Sequence, residues 1–339
     1  MMLFEFFIAA CCFTESFSGD YMKWLSIKDT TKVTWLNVSA EFDVNYSHIQ
    51  VYKTNDSING RPNVSFYIVA DIKNNKVRVT TDTTFKRRLT PTEFYLKNHE
   101  PTIVVNGTFF DFTSNRNLNA VMKNGNLTSY NLHSVALKGK DTLLYLHTFK
   151  AAIGINKNRK ADVAWLFTDS NSSKPFATQQ PIRFYKDSFP FVSKNILRSK
   201  LAENHSDNHQ RHLRRWKMHT AIGGGPVLIQ NSTIHITNNE EQMFSGKAVD
   251  DKHPRTAIGY TSEGKLIILV VQGRTPGIAE GVSLTELAKL MLDLGCVEAL
   301  NLDGGGSSCM LVNGKETIKT SDKGGQRPVP GVLLIQAFR

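Results

Sequence analysis

The amino-acid sequence predicts an α/β or α+β fold: a mixed, twisted β-sheet with few helices in one main domain. Three observations carry this expectation. Short apolar or alternating runs recur along the chain and are bounded by Gly, Asn, Asp and Pro turn signals. A helical stripe with a clear start and stop occurs near the C-terminus. Two glycine triplets, Gly223-Gly224-Gly225 and Gly304-Gly305-Gly306, each adjoin an apolar run.

Taken in order, the region from about Lys32 to Val79 alternates polar and apolar residues. Asn63 to Ile72 reads as a strand, and Asn74-Asn75 as a turn into Lys76 to Val79. Pro101 to Val105 reads as a buried strand ending in Asn106-Gly107-Thr108-Phe109-Phe110-Asp111. Asn124-Gly125 is a hairpin-type turn, and Lys140-Asp141 reads as a turn before a strand from Thr142 to Phe149. The stretch 156–217 is more polar and reads as a peripheral insertion. Ala221 to Ile229 is a Gly-rich turn entering a strand. Thr256 to Tyr260 and Leu266 to Val271 form two strands joined at Ser262-Glu263-Gly264. Ser283 and Glu286 have the spacing of a capping box. The helix they open carries Leu287, Leu290, Met291 and Leu294 on one face and stops at Gly295. Val297 to Leu302, Met310 to Val312 and Val332 to Ile335 complete the strands. The expected organisation is a signal or lipoprotein segment at 1–20, a β-rich region at 21–99, and a main domain at 100–339 that holds the insertion.

The chain has 339 residues, 40% hydrophobic and 21% charged, enough for a sizeable core. Its net charge of +11 favours anionic partners such as a phosphorylated sugar or an anionic glycan. No basic stripe interleaved with aromatic residues stands out, so nucleic acid is not expected. The N-terminal apolar run through Ile8-Ala9-Ala10-Cys11 resembles a secretory signal and a lipoprotein box, with Cys11 as the lipid attachment point. Export is therefore expected, and a membrane link only through that anchor, since no later segment has the roughly 20 apolar residues of a span. Several Asn-x-Ser/Thr triplets occur, including those at Asn37, Asn63, Asn126, Asn171 and Asn231. Cys296 and Cys309 read as buried free thiols, with a disulfide as the alternative in an oxidising compartment.

Five clusters carry chemistry. In Asp303-Gly304-Gly305-Gly306-Ser307-Ser308 a carboxylate ends an apolar strand. The glycines there allow close backbone approach and an anion-binding turn, and the hydroxyls can donate. A tight turn without a ligand is the alternative for this cluster taken alone. Gly223-Gly224-Gly225-Pro226 suggests a second loop lining the same site, and it fits neither a Walker loop nor a dinucleotide fingerprint. In His253-Pro254-Arg255 the arginine enters a strand, where its planar fork suits phosphate or a surface ion pair. Asn106 offers an amide to a sugar hydroxyl or phosphate, while Phe109 and Phe110 read as core, with a sugar platform as the alternative. Gln272-Gly273-Arg274 again follows an apolar strand. His205, His209, His212 and His219 lie in a polar, basic stretch that reads as solvated rather than metal-binding. No metal or other cofactor is required by any ligand spacing, although a divalent ion near Asp303 is compatible with it.

Asn106-Gly-Thr-Phe-Phe, Gly223-Gly-Gly-Pro-Val-Leu, Arg255-Thr-Ala-Ile-Gly, Gln272-Gly-Arg and Asn301-Leu-Asp-Gly-Gly-Gly-Ser-Ser resemble, in order, the motifs of the phosphodiester glycosidase family. Arg327-Pro328-Val329 is similar to its C-terminal signature. Members include the enzyme that removes N-acetylglucosamine from a mannose 6-phosphate diester, and bacterial exported proteins associated with exopolysaccharide. The resemblance covers about residues 100 to 339 and implies a hydrolase of sugar-1-phosphodiesters, with a non-catalytic glycan or polyanion binder on the same scaffold, or a P–O-cleaving phosphodiesterase, as the alternatives. It places Asn106, Gly224, Gly225, Arg255, Asp303, Gly304, Gly305 and Ser307 at the site. Gln272 departs from the family's usual Asp, and Glu280 from a usual small residue. The expected roles follow from the chemistry. Asp303 acts at the anomeric centre, with Asp111 and Glu280 as candidates for a second carboxylate. Arg255 and the glycine N–H groups hold the departing phosphate. Asn106 and Ser307 orient oxygens, and Gln272, Arg274 and Ser308 complete the substrate-binding set.

Overall fold

The computed structural model describes residues 33–136, 145–185 and 213–338. The turn expected at Lys140-Asp141, the N-terminal segment 1–20 with Cys11, and His205, His209 and His212 lie outside the described residues.

Every strand pairing among the described residues is antiparallel. The chain is thus sheet-dominated, on the α+β side of the expected alternatives, with three short α-helices: Pro91–Lys97, Asn238–Glu241 and Leu284–Asp293. An eight-stranded, a seven-stranded and a five-stranded sheet supply one shared core, and a small three-stranded sheet stands beside them. Period-two alternation explains how one sheet serves two cores. In the strand Lys265–Val271, Leu266, Ile268 and Val270 enter the shared core. Ile267, Leu269 and Val271 face a second cluster under the helix Leu284–Asp293. Both faces are covered, so the strand reads as an unbroken apolar run.

That helix begins where its capping box lies. The Ser283 Oγ accepts from Glu286 N at 3.2 Å, and Ser283 N donates to Glu286 Oε2 at 2.8 Å. A second capping box, Thr90 with Glu93 and Pro91 at the first helical position, opens a helix the sequence reading did not assign. Its Thr-Pro-x-Glu spelling was the available signal. The helix sets Phe94 against the outer face of the five-stranded sheet.

Two regions differ from the expected layout. Residues 33–99 are woven into the same sheets as the rest: Ser65–Asp71 pairs along its length with Lys265–Val271, and Val77–Thr83 with Gly331–Ala337. The stretch expected as a peripheral insertion contributes the strand Ala161–Phe167, whose Trp165 is fully buried in the shared core. Its polar turns, such as Asp169 to Lys174, flank a buried strand and mask it in composition. Cys296 and Cys309 are both free and buried, as the sequence favoured, and burial pushes the Cys296 thiol up to about 12.

The first glycine triplet is a crossing point between sheets. Asn119 Nδ2 donates to Gly224 O at 3.0 Å, Gly225 N to Asn301 O at 2.7 Å, and Asn301 Nδ2 to Gly225 O at 2.8 Å. A Cβ on Gly224 would stand 2.4 Å from the Asn301 carbonyl oxygen, which is strand backbone and cannot yield cheaply. Gly224→Ala is therefore expected to destabilise the fold by about 1–3 kcal/mol in urea titration. A variant of unchanged midpoint would show that the crossing is loosely packed.

Candidate active site

Three chain segments meet at one end of the sheets. The strand Ile103–Asn106 ends there, the strand Arg255–Thr261 begins there, and Cys296–Asn301 runs out through Leu302 into Asp303. Leu302 N donates to Thr256 O at 2.8 Å, and Asp303 N to Gly107 O at 3.0 Å. Asp303 is thereby fixed between two sheets.

Beside it lies a cleft of about 330 Å³. Its walls include Asp303 and the three glycines after it, the arginines Arg255, Arg274 and Arg327, His253, and the rings of Phe109 and Phe244. Asp303 is the one carboxylate among these lining residues. Its environment favours the protonated form: burial pushes its pKa from an ordinary 3.8 to about 7, against the lowering pull of Ser307, of the Arg327 cation and of the Gly304 N–H. That N–H donates to Asp303 Oδ1 at 3.0 Å. The buried Ser307 hydroxyl has no well-formed hydrogen bond among the described residues and is oriented only by its nearness to Asp303.

The cations are held differently from one another. Arg255 is buried, with Nε donating to Val282 O at 3.2 Å and Nη2 to the carbonyls of Ala248 and Asp251 at 3.2 and 3.1 Å. Its guanidinium also lies 5.6 Å from the Phe244 ring centre. Burial and the neighbouring Arg274 bring its pKa down to about 10, so it stays charged at neutral pH. Arg274 is exposed and reaches His253 Nδ1 at 3.4 Å. Desolvation, followed by the fields of Arg255 and Arg274, pulls His253 below its ordinary value and keeps the ring neutral. Arg327 is tied to Asp322 through Nε and lies across Gly306, where a Cβ would sit 2.2 Å from its Nη2. Gly305, at φ 61°, turns the loop under Arg274. The second triplet is thus the floor on which two arginines rest.

The expected site residues divide accordingly. Asp303, Arg255, Arg274, Gly304 and Gly305 line the cleft. Asn106 does not face it. Asn106 is fully buried, its Nδ2 donating to Asp303 O at 2.6 Å while Oδ1 accepts from Thr256 Oγ1 at 2.9 Å and Cys309 N at 3.1 Å. Ser308 is buried in the same network, its hydroxyl donating to Thr256 Oγ1 at 3.2 Å while the Thr256 hydrogen goes to Asn106. Asp111 stands apart, its Oδ1 occupied by the N–H groups of Thr113 and Ser114 at 2.7 and 2.6 Å in a turn of its own. Glu280 pairs with Arg61 at 3.2 Å, also away from the cleft. Neither supplies a second cleft carboxylate. Gln272 is buried and accepts from Lys319 N at 3.0 Å, tying down that loop rather than facing substrate. Gly224 and Gly225 belong to the sheet crossing described above.

Sequence reasoning missed Arg327, His253 and the aromatic walls. Arg327 and His253 sat in quoted motifs without an assigned role. Phe109 was read as core, yet it lines the cleft and meets Phe244 edge-on at 5.7 Å, whereas its neighbour Phe110 is buried. Among the described residues no group of three or more His, Cys, Asp or Glu is arranged to hold a metal ion.

An antiparallel-sheet protein that sets one carboxylate among three arginines in an aromatic-walled cleft has a centre suited to an anionic, ring-bearing substrate. The family model for phosphodiester glycosidases matches residues 99–336, and the chain belongs to that family, which is one of glycosidase-type hydrolases. A prophage-derived protein of Bacillus subtilis is 42% identical over 94 residues, 28% of this chain and 14% of its own length. Bovine N-acetylglucosamine-1-phosphodiester alpha-N-acetylglucosaminidase is 36% identical over 109 residues, 30% of this chain and 20% of its own. The chain therefore matches only about a fifth of these relatives or less. In fold, a hypothetical protein from Synechocystis matches with a TM-score of 0.62 at 15% identity, over 91% of this chain and 64% of that one. The zebrafish N-acetylglucosamine-1-phosphodiester alpha-N-acetylglucosaminidase catalytic domain, described as auto-inhibited by its pro-peptide, matches at 0.54 and 20% identity over 87% and 85%.

The raised pKa of Asp303 yields two linked expectations. If the ionised carboxylate is the working form, kcat/KM falls on the acid side with a pKa of about 7. Arg327→Gln, which removes a cation favouring that form, moves the limb to higher pH. For stability, a carboxyl whose folded pKa is raised opposes folding once ionised. Asp303→Asn should therefore raise Tm at about pH 8 and give no gain at about pH 4, where the unfolded carboxyl is also becoming protonated. A Tm difference independent of pH would contradict the burial account.

Proposed function

We propose that this chain hydrolyses the glycosidic C–O bond of a sugar-1-phosphodiester, with N-acetylglucosamine the first sugar to test, given what the curated relatives are named for. The observation that supports it is the charge pattern of the cleft: one carboxylate, Asp303, facing three guanidiniums.

Glycoside hydrolysis ordinarily uses two carboxyls, one of them an acid that protonates the leaving oxygen. A phosphate oxygen leaves as a weak base, its second ionisation lying near pH 6, so protonation is dispensable. Cations at the departing group do that work instead. In this reading Arg274, Arg327 and the free edge of Arg255 hold the non-bridging oxygens. The C–O bond breaks with its electron pair going to the phosphate oxygen, and Asp303 takes a proton from the water that attacks the anomeric carbon. The products are free sugar and a phosphomonoester. The aromatic faces of Phe109 and Phe244 lie where a sugar ring can stack. Gln272 stands outside the cleft, so its departure from the family's usual Asp takes no charge from the centre. Asn106 positions Asp303 and does not touch substrate. The chemistry invokes no metal or cofactor. We further propose export, with the N-terminal apolar segment as the signal and Cys11 as a candidate lipid anchor. Asn37, Asn126, Asn171 and Asn231 are exposed, whereas Asn63 is buried and unavailable to a glycan.

The deciding assay offers UDP-N-acetylglucosamine and a panel of sugar-1-phosphodiesters in water enriched in oxygen-18. Free sugar carrying the label, absent with Asp303→Asn, is the expected result. Label in the phosphate instead would assign P–O cleavage. Tight binding of intact diesters without release would assign a glycan-binding role.

A further inference from the structure

Outside the cleft, cations and rings alternate along one strip, in which Phe112 is exposed, Arg88 and Arg327 are half-buried and Phe110 is buried. Residues 84–89 run beside the Arg327 segment: Thr84 N donates to Pro330 O at 2.8 Å, Leu89 N to Val329 O at 3.0 Å, and Val329 N back to Leu89 O at 2.8 Å. This pairing sets the Arg88 guanidinium 5.3 Å from the Phe110 ring centre and 5.4 Å from that of Phe112. Arg327, from the cleft wall, lies 5.4 Å from the same Phe112 ring. Contacts therefore run from Arg327 in the cleft wall to Phe112 and on to Arg88, which also lies against the buried Phe110.

Phe112 is 60% exposed, and Phe85, with Lys86 5.2 Å from its ring centre, is 77% exposed. Neither ring is needed for the core. A guanidinium lying over a ring keeps its in-plane N–H donors free for a planar or tetrahedral anion. Of the nearby acids, Asp322 is paired with Arg327, and Asp111 has one oxygen held by the N–H groups of its own turn. Among the described residues no carboxylate pairs with Arg88.

We propose that this strip is a subsite for the leaving side of the substrate. It would bind an extended polyanionic glycan, a chain of sugars joined by 1-phosphodiesters, with the scissile phosphate in the cleft and the next one on Arg88. The proposal rests on the hydrolytic reading above for its direction. It adds that the chain is selected by its repeated phosphates and by the sugar faces that exposed Phe112 and Phe85 can cover. Single-stranded nucleic acid is the other polymer that rings and cations attract. Continuity with the Asp303 cleft favours the glycan.

The test compares the parent chain with Arg88→Ala and Arg88→Glu, at a half-buried position, with turnover of the small diester and the urea midpoint as the checks on folding. Substrates are a synthetic oligo(N-acetylglucosaminyl 1-phosphate) and a methyl N-acetylglucosamine-1-phosphodiester. Losing one charge-assisted phosphate contact should raise KM for the oligomer about tenfold, more for Arg88→Glu, with kcat and the methyl diester unchanged. The rise should shrink as salt is added. In parallel, calorimetry measures oligomer binding to Asp303→Asn with and without Arg88→Glu. Binding that depends on Arg88 with no turnover of either substrate would remove the hydrolytic reading and keep the subsite. Three outcomes overturn the subsite: an oligomer unaffected by Arg88→Glu or not bound at all, equal losses on both substrates, or oligothymidylate bound more tightly than the glycan.

Discussion

One buried amide holds the centre together. The side chain of Asn106 donates to the main-chain oxygen of Asp303 and accepts from Thr256 and from the N–H of Cys309, with the residue fully removed from water. It therefore joins the end of a strand in the five-stranded sheet, the start of a strand in the eight-stranded sheet, and the catalytic loop. A buried amide with any of these partners missing would carry the desolvation cost of an unpaired polar group, so the three segments are held in one arrangement. The proposed reaction needs its carboxylate placed to within a fraction of an ångström, and in that reading the amide does this without touching the reacting atoms. A hydrophobic residue of the same size could fill the space but could not fix the register of the loop.

The electrostatics depend on that placement. Asp303 sits where burial opposes its charge and Arg327 supports it, and the two effects leave its pKa at about 7. A carboxylate fully stabilised by an ion pair would be a poor base, and one sealed in the core would stay protonated at neutral pH. The arginines show the same compromise. Arg255 is bound to three main-chain carbonyls and stacked on Phe244, so it is ordered before substrate arrives. Arg274 lies exposed at the cleft edge, with His253 Nδ1 as its polar neighbour at 3.4 Å. The glycine floor allows two of the arginines to lie against the loop, since a side chain at Gly306 would occupy the Arg327 guanidinium's place. Preorganised charge of this kind is worth more in a walled cleft than in open water.

Much of the fold was legible because it rests on local signals. The capping box at Ser283 and the turn at Ser262-Glu263-Gly264 state their structure within a few residues, and the strands Arg255–Thr261 and Lys265–Val271 follow from hydrophobic pattern. The weave of residues 33–99 into the sheets was not legible, because strand order depends on contacts between distant segments. The central pairing of Ser65–Asp71 with Lys265–Val271 is of that kind. At the site, residue type was a better guide than residue role. Asp303 and Arg255 were identified, and both line the cleft. Asn106 was also identified, but a buried amide that orients a loop and an exposed amide that reads a sugar have the same spelling. Asp111 was a candidate for the second carboxylate, and only its turn, in which Oδ1 accepts from Thr113 and Ser114, shows that it serves local structure. The two glycine triplets, alike in sequence, separate in the same way: one lets sheets cross and the other lets cations rest on a loop.

The imbalance of one carboxylate against three guanidiniums is itself an argument about the substrate. A centre that cleaves an ordinary glycoside must create a good leaving group, and an acid close to the glycosidic oxygen is the usual means. Such an acid would suffer here from neighbouring arginines, whose fields would strip its proton. A centre whose substrate already carries a phosphate at the anomeric oxygen has the opposite need. It must draw an anion into a site that contains a carboxylate, and then hold the dianion that departs. Three cations around one carboxylate meet both needs, and a neutral His253 adds no charge that would hold the product. The chain's positive charge is therefore partly concentrated where the proposed reaction develops negative charge. The arginine that closes this wall, Arg327, is also the first member of the strip outside it.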